Sequence, residues 1–170
     1  PSESHIKADA RAAWAELVRR EPRADARFIY GHSLGAAVAI ELGATQDGAA
    51  GVIAESGFTS LADVVADRNL PVGILMTQRF DALASVPRLR APVLFVHGTA
   101  DNVVPAAMAQ RMFAAAPEPK RLLLIQGGTH SNAGDLGASD YRNALSEFVA
   151  TAQAAAQLRS AKTAANTSTF

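Results

Sequence analysis

Helical stripes alternate along the chain with short, unbroken apolar runs. Residues 4–20 (SHIKADARAAWAELVRR) put Ile6, Ala10, Ala13, Trp14, Leu17 and Val18 on one face of a helix that Pro22 and the polar stretch to Asp25 bring to an end. ARFIYG (26–31) is a short apolar run closed by glycine and reads as a buried strand. LGAAVAIELGAT (34–45) is small and apolar throughout, as a helix packed closely on its support would be. Three more strands follow at 51–57 (GVIAESG), 91–98 (APVLFVHG) and 120–128 (KRLLLIQGG). Between the last two, residues 105–116 read as a helix with Pro105 in its first turn. A final helix is expected over 138–158, with a frayed tail over 160–170. The segment 58–90 carries no strong period; Thr59 is expected to cap a short helix from Leu61, and Pro71 and Pro87 punctuate the rest. Strands without polar alternation, separated by helices, predict an α/β fold: a parallel sheet of about four strands covered on both faces.

Composition changes this picture little. The chain has 170 residues, enough for one domain with a real core, and its 16 basic and 16 acidic residues give no field to draw nucleic acid or an acidic membrane. No cysteine is present, which excludes disulfides, thiolate metal sites and cysteine catalysis. No metal-ligand cluster is visible, and the chemistry below requires no metal or organic cofactor. No apolar run reaches transmembrane length. The compartment stays open, with a cytoplasmic location favoured. The chain starts at Pro1 without an initiator Met, which leaves room for an upstream address or anchor.

Three strand ends carry candidate chemistry. Gly31-His32-Ser33-Leu34-Gly35 joins a strand to a helix, and a G-x-S-x-G turn there is so sharp that the serine is strained and its neighbours must be small. The turn lifts the Ser33 hydroxyl to a helix N-terminus and makes the backbone N–H of Leu34 an oxyanion donor. Asp101, in His97-Gly98-Thr99-Ala100-Asp101, follows the next-but-one strand; it reads either as a turn residue or as an acid that orients a histidine. His97 is expected to hold that loop by a hydrogen bond. His130, in Gly127-Gly128-Thr129-His130, follows the last strand on a glycine-hinged loop with the reach a general base needs. Ser33, Asp101 and His130 in that chain order, each after a strand, point to one nucleophilic site; His5 and His32 fit the base worse.

At these residues the chain resembles the α/β-hydrolase superfamily, and within it the BEM46/ABHD13-like branch near the serine aminopeptidase-type hydrolases. The resemblance rests on GHSLGAAVAIELG, IAESGFTSLADV, RFDALASVPRLRAPVLFVHGTADNVVP and PEPKRLLLIQGGTHSN, and spans about residues 2–148. It implies Ser33 as nucleophile, Asp101 as acid and His130 as base of a serine hydrolase that cleaves a carboxylic ester, thioester or amide. It gives Glu55 no triad role and leaves Asp81 to hold a nearby loop. It implies a partial α/β-hydrolase domain over 1–150, with a small lid at 58–90 and the helix end and tail at 151–170. Ile74, Leu75, Met76 and Phe80 are candidates for an acyl pocket or for the lid's own core. Full members of the superfamily carry further strands before this point and a loop that gives a second oxyanion N–H. The first strand here is therefore expected to be a bare edge, completed by a missing N-terminal half or an oligomer. The alternative function is an inactive remnant that binds a partner through that edge; acyl transfer to an acceptor other than water is a third.

Overall fold

The computed structural model describes residues 2–67 and 78–167. Its elements run α1 (Glu3–Arg20), β1 (Phe28–His32), α2 (Leu34–Thr45), β2 (Gly51–Glu55), α3 (Leu61–Asp67), α4 (Ala82–Ser85), β3 (Val93–Gly98), α5 (Ala106–Ala115), β4 (Lys120–Ile125), α6 (Ala133–Leu136) and α7 (Ala138–Thr167). The strands form one sheet in the order β1-β2-β3-β4. Every pairing is parallel, with Tyr30 opposite Ile53, Ala54 opposite Phe95 and Val96 opposite Leu123.

The two central strands, β2 and β3, are buried on both faces, as their unbroken apolar pattern predicts, while the outer strands β1 and β4 are only partly covered. Val93 and Phe95 of β3 point into the cluster built with α2 and α5, alongside Ile40, Val52, Met108 and Met112. Leu94 and Val96 point the other way, to Ile53, Ile125, Phe148 and Ala152 under α7. The small residues of α2 let it lie close on the sheet: a Cβ at Gly43 would come within 2.6 Å of Val52 Cγ2. Strand order and helix placement put the carboxyl ends of all four strands along one rim.

Several local expectations are corrected. Ser60, not Thr59, caps α3: its hydroxyl accepts from Asp63 N–H at 3.0 Å, while the Thr59 hydroxyl donates to the Asp63 carboxylate. Pro105 stands at the N-cap of α5 rather than inside it. The tail expected over 160–170 is helical as far as Thr167. Arg159 fastens that stretch by donating to the Ala49 carbonyl at 3.3 Å, and the alanines that follow favour helix. The stripe on α1 is only half covered: Trp14 is buried at 6%, but Leu17 and Val18 remain 36% and 37% exposed because α1 overhangs the unpaired side of β1.

Of the segment 58–90, α3, α4 and a 3₁₀ turn at Val86–Arg88 are described. Asp81 caps α4, accepting from Ala84 N–H at 2.9 Å. Ile74, Leu75 and Met76 lie outside the described residues. Phe80 is buried in the main core, which makes it core rather than pocket wall.

Candidate active site

The turn from β1 to α2 is built around one steric demand. A Cβ at Gly31 would sit 2.0 Å from the Gly35 carbonyl oxygen, so only glycine fits there. Gly35 differs from expectation: a Cβ there would meet nothing within 4 Å. Ser33 takes φ 55°, ψ −120°, a conformation costly for a side-chain-bearing residue. Its N–H donates to the Glu55 carbonyl at 2.9 Å, which ties the strained turn to the end of β2. Leu34 is the first residue of α2, and first-turn N–H groups have no partner within their own helix.

A second close approach joins the other two loops. A Cβ at Gly98 would fall 2.2 Å from the Gly128 carbonyl oxygen, so the loops after β3 and β4 touch through bare backbone. Gly127, at φ 73°, turns the chain back over the rim. These contacts bring residues 97 positions apart into a line: His130 Nε2 lies 2.9 Å from Ser33 Oγ, and His130 Nδ1 lies 2.8 Å from Asp101 Oδ2. A carboxylate only accepts, so Nδ1 carries the ring hydrogen and Nε2 faces the serine with its lone pair. The Ser33 hydroxyl therefore donates to His130, and His130 donates to Asp101.

Asp101 is held from several sides. Its Oδ1 accepts from Val103 and Val104 N–H, each at 2.8 Å. Burial pushes its carboxyl up, but the Val104 N–H, the His130 ring and the Val103 N–H outweigh that, leaving it below the ordinary carboxylate value. His97 is fully buried; its Nε2 lies 2.9 Å from the Val104 carbonyl and 3.2 Å from Asp101 Oδ2. It holds the loop as expected and touches the acid as well.

Glu55 takes no part in this line. Its carboxylate accepts from the phenols of Tyr30 and Tyr141, each at 2.9 Å, and so braces β1 and β2 to α7. Burial and the bond to Glu55 push the Tyr30 phenol up to about 12, and Tyr141 shifts in the same direction for the same reasons. His32 does not approach Ser33 as a base; its Nε2 lies 2.8 Å from the His130 carbonyl, which Ser56 Oγ also reaches at 3.3 Å. Ser56 was not singled out in the sequence, because a serine after a strand carries no mark of its partner. Among the described residues no cluster of three or more His, Asp or Glu could hold a metal, and no helix is long and apolar enough to cross a membrane.

A parallel sheet with a strained serine at the β1–α2 turn and an aspartate and a histidine after β3 and β4 defines the class: this is a partial α/β-hydrolase fold. A family model and several relatives support a place for the chain in the α/β-hydrolase superfamily. The family model for serine aminopeptidase, S33, matches residues 70–136. An uncharacterized protein of Mycobacterium tuberculosis is 41% identical over 135 residues, covering 78% of this chain and 48% of that protein. The α/β hydrolase domain-containing protein 17B of Xenopus laevis is 32% identical over 157 residues, covering 88% of this chain and 51% of that one. Among solved structures, the Pyrococcus furiosus esterase Pf2001 superposes with a TM-score of 0.68 at 18% identity, over 84% of this chain and 60% of the esterase. The chain spans about half the length of the curated relatives it matches.

Proposed function

We propose that this chain carries the nucleophile, base and acid of a serine hydrolase, of the BEM46/ABHD13-like branch, that cleaves a carboxylic ester, thioester or amide through an acyl-enzyme. Ser33 attacks the carbonyl carbon while His130 Nε2 takes its proton. Asp101 keeps the imidazole in the required tautomer and stabilises the imidazolium. The Leu34 N–H donates to the oxyanion at the α2 N-terminus. His130 then returns the proton to the leaving alcohol, thiol or amine, and water repeats the path to release the acid. The observation that carries the reading is the unbroken line from Asp101 Oδ2 through His130 to Ser33 Oγ, at 2.8 and 2.9 Å. The S33 family match and the esterase likeness support the same chemistry.

The branch rests on ESGFTS and RFD as they stand in the sequence. The substrate-facing half of the site extends, in this reading, into a further part of the protein or a partner that covers the β1 edge. An apolar groove of about 400 Å³ between α1, β1 and α2 supports it; Ile6, Trp14, Leu17, Tyr30 and Val38 are among its walls. Covalent labelling of Ser33 by a fluorophosphonate tests the function. The reading predicts one adduct per chain, at Ser33, and none in Ser33→Ala. A folded chain that stays unlabelled, alone and with the upstream half supplied, would favour the inactive binding module instead.

A further inference from the structure

We propose that His32, seconded by Ser56, is a positioning residue that anchors the base by its main chain; this rests on the reading of His130 as the base of Ser33. The His130 ring is held at its two nitrogens, by Asp101 and by Ser33. Both bonds must change during turnover, since the serine proton leaves and the ring becomes charged. The loop that carries the ring starts from Gly127 at φ 73° and Gly128; Thr99, Ala100, Ile125 and Asn132 hold its residues 127–129, and these bonds stop short of residue 130. A fixed base on such a loop needs a hold that does not take part in the reaction.

The His130 carbonyl provides that hold. It faces His32 Nε2 at 2.8 Å and Ser56 Oγ at 3.3 Å. A carbonyl oxygen only accepts, so His32 carries its hydrogen on Nε2 and donates, as does the Ser56 hydroxyl. Neither donor is itself loose. His32 is the last residue of β1, and the next residue, Ser33, is tied by its N–H to Glu55 O. Ser56 is fully buried, sits at φ 49°, and its own N–H donates to Val96 O at 2.9 Å. The nucleophile's strand and the end of β2 therefore grip the base's backbone, while β3 grips its side chain through Asp101. The middle residue of the G-x-S turn is thus the link that fixes the distance between nucleophile and base. The two histidine rings also touch, with centroids 5.1 Å apart at 56°, so loss of the donor has to be separated from loss of the ring.

Four variants of the 170-residue chain separate them: His32→Phe, His32→Gln, Ser56→Ala and the double variant His32→Phe/Ser56→Ala. Phenylalanine keeps the ring contact without the donor; glutamine keeps an N–H at similar reach without the ring. Misplacing reacting groups by about 1 Å costs up to about 100-fold, so His32→Phe should lower kcat for a p-nitrophenyl ester by about 10- to 100-fold with KM nearly unmoved. The low-field His130 Nδ1–H resonance, assigned by its loss in His130→Gln, should exchange with solvent faster in the same variant. His32→Gln should recover most of both, Ser56→Ala should show a smaller loss, and the double variant should exceed the sum. Wild-type kcat and exchange in His32→Phe would overturn the anchor, and so would a glutamine variant no better than phenylalanine. A wild-type chain that never turns over an ester counts against the proposed function, and the exchange rates then decide the anchor by themselves.

Discussion

The rim at the strand ends and the open side of β1 are built to different standards. At the rim, Asp101 is 9% exposed with both carboxylate oxygens engaged, and two loops meet through glycine backbone. On the open side, 57% of Tyr30 is exposed, Leu17 and Val18 project past the sheet, and Gly35 faces empty space. Both regions border the same serine turn. Side chains can thus be set at hydrogen-bonding distance by crossovers between neighbouring strands while the apolar groove beside them stays open. The reason is that the loops of Asp101 and His130 follow paired parallel strands, whereas β1 is the first strand of the sheet and has a neighbour on one side only.

The largest expected effect lies on the finished side. Asp101→Asn should lower kcat by about 10⁴-fold, because the amide cannot hold His130 in the Nδ1–H tautomer; a steady-state assay against wild type checks it, and a loss under tenfold would detach Asp101 from the site. The next concerns the open side. If the proposed completion of the β1 edge holds, a longer chain or partner that covers that edge should raise kcat by about 10²–10³-fold, the usual worth of one oxyanion donor. No change on adding it would mean that the groove does not complete the site.

The two glycines of the serine turn should part company in thermal melts. Gly31→Ala should cost at least about 1–3 kcal/mol, since its methyl would collide with the Gly35 carbonyl. Gly35→Ala should stabilise the isolated chain by up to about 1 kcal/mol, because alanine favours the helix and meets nothing. If both destabilise equally, the open side is covered in solution.

The smallest effects are pH-dependent. Asp101 sits below its ordinary value, so its contribution to stability is present above the unfolded value near 3.8 and is lost as pH falls through the folded one. Tyr30 is raised, so its contribution is present below the ordinary phenol value near 10.0 and is lost as pH rises toward about 12. Acid and alkaline unfolding of Asp101→Asn and Tyr30→Phe should each flatten one limb; a Tyr30→Phe chain with an unchanged alkaline limb would remove the brace to Glu55 from the stabilising contacts.

Much of this was legible along the chain. Four apolar runs without alternation fixed the parallel sheet, because a strand buried on both faces has no polar side to show. Ser33, Asp101 and His130 were legible as candidates because each follows such a run at the same end of the sheet. What local pattern could not carry was anything decided by a neighbour distant in sequence. Ser56 and His32 gain their meaning from a carbonyl 74 and 98 residues away. Gly35 keeps the elbow spacing, yet only the fold reveals that nothing crowds it. The end of α7 read as a tail because its side chains are small and polar, and the bond from Arg159 to the Ala49 carbonyl, which helps fasten it, is seen only in the fold. The sequence by itself determined the four strands and the main helices and marked the side chains able to bear chemistry, since both follow from local period and residue type. The tertiary structure alone decided what holds those side chains at bonding distance, because that depends on atoms brought together by the sheet rather than by the chain.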